Sequence, residues 1–172
     1  MSLKNLVGLI GFSLLLGLAP AFAADNVPEI RLYAIDCGSL DIKDVGSLFS
    51  DTGEFAGEPG TMVDPCFLIR HPKGTLIWDT SLGDRVADEK TGIDYPAVGI
   101  DGDYDVFGDG SVLILKAPGH TPGHQSLEIK LQKNGTVLLS GDLYHLRDSR
   151  KLRLVPSVNH ERADTLGLHG SI

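Results

Sequence analysis

The apolar positions of this chain fall into short runs of strand length, each broken by turn-forming residues. Residues 30–36, 66–71, 75–79, 104–107, 112–116, 126–131 and 137–140 are such runs, partly alternating and rich in Val, Ile, Leu, Tyr and Phe, and they predict strands. Pro72-Lys73-Gly74, Asp109-Gly110 and Asn134-Gly135 separate consecutive runs and carry the residue types that close hairpins. The pattern therefore predicts a meander of antiparallel strands. Helical periodicity is sparse. It predicts a short helix around residues 84–90 and another opening at Asn159 or His160 and running to Leu166, with Asn159 as its cap and Glu161 in the first turn. Residues 38–60 recur in Gly, Asp, Ser and Pro and predict an exposed loop, with Asp51-Thr52-Gly53-Glu54 a plain turn.

One apolar run is of another kind. A basic start at Lys4, 13 residues without charge from Leu6 to Leu18, and Ala21-Phe22-Ala23 together make a secretory signal peptide. Cleavage is expected after Ala23, because so short a run does not span a bilayer. The remaining 149 residues (172 less 23), 24–172, suit a single domain. The expected product is exported to the periplasm, with no membrane insertion once the signal is removed. The whole chain carries 15 Lys and Arg against 23 Asp and Glu; removing Lys4 makes the excess of acid one charge larger. The basic residues make no cluster beyond 147–153, which argues against nucleic acid as a partner. An oxidising compartment lets Cys37 and Cys66 form a disulfide; two buried, unpaired thiols are the alternative.

Candidate chemistry concentrates between Ser111 and His145. Pro118-Gly119-His120-Thr121-Pro122-Gly123-His124 is a loop of turn-formers with two histidines, and Gly141-Asp142 places a carboxylate at a strand end. A loop histidine and a strand-end aspartate meet readily in space, and both are zinc ligand types. Two other acidic or imidazole groups are read as structural. Asp101-x-Asp103-x-Asp105 begins like a calcium loop, but Val106 and Val112 stand where glycine and a bidentate glutamate are needed. His71, at the edge of a turn, is expected to be solvated.

The loop of residues 118–124, the strand pair after it and Ser140-Gly141-Asp142 resemble the second half of a metallo-β-lactamase-fold hydrolase, in the branch that includes N-acyl homoserine lactonases. Asp36-Cys37-Gly38, residues 66–71 and residues 76–80 resemble that branch's opening strands, so the likeness covers most of residues 30–165. It implies an α+β fold, the αββα sandwich. It also implies His120 as a ligand of one metal, Asp142 as the carboxylate bridging two zinc ions, and His124 as a loop-stabilising residue. Asp79 would support the metal loop by hydrogen bonding. The substrate-contacting tyrosine of many lactonases lies three residues after the bridging aspartate, where this chain has His145, with Tyr144 one position earlier. In such enzymes the two metals share a hydroxide that attacks at neutral pH.

The same resemblance defines a departure. The family's His-x-His-x-Asp-His segment should precede Ser111, yet no histidine lies between His71 and His120. An internal deletion of several tens of residues is expected, joined near residues 95–101, along with a shortened C-terminal end. His169 falls too early, in a Gly-rich tail, to take the place of the family's last ligand. The expected fold is thus a partial sandwich, mostly antiparallel strands, with helices depleted. Strands 112–115 and 137–139 should then expose apolar surface and favour self-association. Two functions follow from the resemblance: a zinc-dependent hydrolase of lactones or related esters, or a non-catalytic remnant or binding protein of the same family.

Overall fold

The computed structural model describes residues 28–79 and 99–170. The expected signal peptide, the helix around residues 84–90 and most of the expected join lie outside the described residues.

Two antiparallel sheets face each other. The first is formed in the order β1–β2–β3 by β1 (Arg31–Ile42), β2 (Gly60–His71) and β3 (Gly74–Trp78). The second is formed in the order β4–β5–β6–β7 by β4 (Tyr104–Asp105), β5 (Val112–Lys116), β6 (Gln125–Leu131) and β7 (Gly135–Leu139). Between β1 and β2 lies the helix α1 (Val45–Phe49). After β7 come a 3-10 turn (Gly141–Leu143) and the short helices α2 (Ser149–Leu152) and α3 (Arg162–Leu168). Alternation places Ile69 of β2, Val112 and Ile114 of β5, and Leu127 and Ile129 of β6 between the sheets. With Ile30 they form the buried core, and Phe67, Trp78 and Leu139 pack against it.

The meander and its hairpins follow the hydrophobic pattern, but four expectations need correction. Residues 38–60 are not all loop: β1 continues past a bulge between Asp36 and Ser39 to Ile42, and α1 buries Phe49. Asp44 caps α1 by accepting from the Ser47 N–H (3.0 Å), a five-residue helix too short to show a period. The last helix is capped by Glu161, whose carboxylate accepts from the Ala163 N–H. Asn159 accepts from the Thr165 hydroxyl instead (3.2 Å). The open apolar surface also lies elsewhere. Val112 and Ile114 are buried and residues 137–139 half-buried, whereas Ile35, Val63 and Ile77 of the first sheet are exposed. The apolar face of β5 turns inward and finds β2 across the core.

The fourth correction is His71, which is buried rather than solvated. Its ring stacks on Phe107 (centroids 4.1 Å apart, 9° between planes). Nδ1 accepts from the Lys73 N–H (3.0 Å), and Nε2 lies 3.1 Å from an Asp109 carboxylate oxygen. Lys73 Nζ reaches the same carboxylate (2.9 Å) and the Phe107 carbonyl (2.8 Å). The β2–β3 turn of one sheet is therefore fastened to the β4–β5 turn of the other. The Ser111 hydroxyl first, and then Lys73, hold the Asp109 carboxyl well below the usual carboxylate range. A depressed carboxyl contributes stability above its unfolded value of about 4 and loses it as pH falls through the folded value. Asp109→Asn is accordingly expected to destabilise the protein at neutral pH. Its deficit against the parent should shrink below about pH 4, as read from urea unfolding across pH.

A candidate functional site at one end of the sandwich

β5 and β7 both run toward one end of the sandwich, and the residues that follow them form the site. The loop after β5 starts with buried Ala117 and turns back through Gly119, whose φ of +138° suits glycine. The backbone N–H groups of His160 and Glu161 donate to the Gly119 carbonyl (3.0 and 2.8 Å), so the segment before α3 braces this loop. His124 spends both ring nitrogens inside the protein. Nδ1 lies 2.8 Å from the Ala117 carbonyl oxygen and Nε2 accepts from the Asp142 N–H (2.9 Å). That pair of partners fixes the tautomer with the proton on Nδ1 and ties the loop to the strand end carrying Asp142.

Asp142 lies between two imidazoles. His120 Nε2 is 3.6 Å from Oδ2 and His145 Nε2 is 3.3 Å from Oδ1. His145 in turn stacks on Phe49 of α1 (4.6 Å, 11°). The His145 imidazole, opposed by burial and helped by His120, holds the Asp142 carboxyl below the usual carboxylate range. Burial pushes the His120 imidazole below its ordinary value, against the pull of Asp142. The carboxylate is thus anionic at neutral pH beside a histidine that favours its neutral, lone-pair-bearing form.

A cavity of about 350 Å³ opens beside this cluster, lined by Met62–Pro65 and Phe67 of β2, Trp78, Asp79, Leu138–Asp142, Tyr144 and His145. Asp79 also lines a smaller neighbouring cavity with Trp78, His124 and Asp142. Its φ of +55° is a conformation that aspartate tolerates better than most residues. Tyr144 is half-buried, its ring 5.1 Å from that of His169. Its hydroxyl finds no hydrogen-bond partner among the described residues, and burial pushes it above its ordinary value.

His120, Asp142, His145, Tyr144, Asp79 and His124 are therefore gathered at one end of the sandwich. Cys37 and Cys66 are joined as a disulfide across β1 and β2, with Cα atoms 5.7 Å apart. Sequence reasoning missed Phe49, which orients His145 from a segment expected to be loop. A capped VGSLF run after Asp44 was the only local sign of it. His169, set aside in sequence as lying too early in a Gly-rich tail, is buried, its ring beside that of Tyr144.

The geometry also bounds metal chemistry. Among the described residues, no group of three His, Cys, Asp or Glu side chains is placed to hold a metal ion. A catalytic zinc ordinarily takes three protein ligands, so the described residues do not make up a dinuclear zinc centre.

Comparison with solved structures places the fold in the metallo-β-lactamase class. A quorum-quenching N-acyl homoserine lactone lactonase superposes with a TM-score of 0.62 at 19% identity, over 86% of this chain and 87% of that one. A probable metal-dependent hydrolase from Staphylococcus aureus superposes equally well (0.62, 10% identity, 85% and 84%). In sequence the chain is similar to N-acyl homoserine lactonases. One is AttM of Azorhizobium caulinodans, 36% identical over 67 residues covering 39% of this chain and 26% of the relative. Another is the Bacillus sp. lactonase, 48% identical over 50 residues covering 29% and 19%. The chain thus matches about a quarter or less of the length of these relatives. No family model matches it.

Proposed function

We propose that this chain is a lactonase-like hydrolase directed at lactones or related esters, exported after removal of residues 1–23. The observation that carries this reading is the His120–Asp142 pair, brought together from a loop and a strand end, with Asp142 lining the 350 Å³ cavity. A carboxylate and a neutral imidazole at that place are the ligand types the lactonase resemblance implies. One solved neighbour, described as an N-acyl homoserine lactone hydrolase with product bound at its catalytic metal centre, has the same fold (TM-score 0.61, 17% identity), and it supports lactones as the ligand class.

A second reading is favoured by a specific observation. With no three-ligand group among the described residues, a non-catalytic protein that binds lactones in the cavity fits the geometry directly. Zinc per chain, measured by elemental analysis on protein purified without chelator, separates the two when paired with an N-acyl homoserine lactone ring-opening assay. Bound zinc together with ring opening is the outcome expected of the hydrolase. A folded, zinc-free chain that binds the lactone without opening it supports the binding protein. A folded, zinc-free chain that does neither removes both.

A further inference from the structure

The outer face of the first sheet carries an apolar patch whose charges match a copy of itself. Along β2 the residues alternate: Phe67 and Ile69 turn to the core, so Asp64, Cys66, Leu68 and Arg70 belong to the opposite face. In register with them, Tyr33, Leu68 and Ile77 form one cross-strand row, and Ile35 lies opposite Cys66. Tyr33 is 41% exposed, Ile35 47% and Ile77 60%, although rows of this kind are stabilised by being covered. At one end of the patch stands Arg70 and at the other Asp64, six residues apart, about 20 Å along the strand. Neither makes an ion pair among the described residues. Arg31, the other cation at that end, is engaged by Glu29 (2.9 Å).

We propose that two copies of this chain pair through this face about a two-fold axis passing near Cys66 and Leu68. The axis lies midway between Arg70 and Asp64, so one rotation sets Arg70 of each copy against Asp64 of the other, twice. Tyr33, Ile35 and Ile77 meet their counterparts between these two contacts. Such self-complementarity is what an isologous interface requires, and facing sheets pack with their strands nearly aligned. Three strands wide and six residues long, the footprint is about 14 Å by 20 Å, well under a standard interface. The dimer is therefore weak and concentration-dependent. Asp64 also borders the cavity beside Asp142, but the carboxylate–imidazole residues themselves are not part of this face, and sedimentation reads the pairing separately from the lactone reading.

Sedimentation velocity on the purified chain, from about 1 to 200 μM, tests this directly. The parent is expected to pass from monomer to dimer, and to no larger species, within that range. Ile77→Lys should weaken association at least tenfold, with Tyr33→Asp reading the same face should the first variant not fold. Arg70→Asp alone and Asp64→Arg alone should each weaken it, while the two reversals combined should restore it. A parent that stays monomeric throughout overturns the proposal. So does association indifferent to Ile77→Lys, or a combined reversal that restores nothing.

Discussion

Gly119→Ala is expected to lower stability by about 3 kcal/mol, combining a strained positive φ with overpacking. A Cβ at position 119 would lie 2.7 Å from the Thr165 nitrogen and 2.9 Å from its Cα, and closer still to its hydroxyl. Those are backbone atoms of α3 and cannot swing aside. The loop would have to retreat from α3, giving up the bonds that His160 and Glu161 donate to the Gly119 carbonyl, and His120 would move with it. Urea unfolding measures the loss, and the chemical shifts of the His120 ring report the displacement. An alanine variant with parental stability and an unmoved His120 would show that the loop is not braced against α3.

Breaking the Cys37–Cys66 disulfide should cost about 3 to 4 kcal/mol, from the unfolded-state entropy that a bridge across 29 residues removes. With a denaturant slope of about 2 kcal/mol per molar, the urea midpoint falls by about 2 M. The bridge sits at the bulge of β1, where the pairing with β2 slips between Asp36 and Ser39. It thus holds the register of the segment Ser39–Ile42, which pairs with Gly60–Val63 on the far side of the bulge. Cys37→Ser with Cys66→Ser should show the same drop without reductant. A midpoint that does not move under either treatment would mean that the pairing of β1 with β2 does not depend on the bridge.

Legibility followed how local the determinants were. The strands β5, β6 and β7 could be read because their apolar alternation is strong and Asn134-Gly135 closes its own hairpin. The meeting of His120 with Asp142 could be anticipated from residue type and from position, one on a loop after a strand and the other at a strand end. The far halves of β1 and β2 could not. Gly38, Ser39 and Asp41 on one strand, and Gly60, Asp64 and Pro65 on the other, are poor strand formers. They pair because Ile42 is buried, Thr61 donates to Asp41 (2.9 Å) and the disulfide joins them. Pro65 is tolerated where β2 has run past the end of β3, on an open edge. His71 was misread for the same reason. Phe107 and Asp109, which bury it, lie more than thirty residues away along the chain.

The fastening of His71 to Asp109 has a mechanical consequence. The tight turns after β2, β4 and β6 lie at that end of the sandwich, and the β5–β6 loop and the cavity lie at the other. The two sheets are thus levers with a common fulcrum, and a strand of five residues sets a lever arm of about 17 Å. A tilt of about 3° at the fulcrum moves the far ends by about 1 Å. Angular play at the fulcrum is opposed at the far end by the Phe49–His145 stack and by the bond that the Val155 N–H donates to Asp51 (3.1 Å), and these contacts set the width of the mouth beside Asp142.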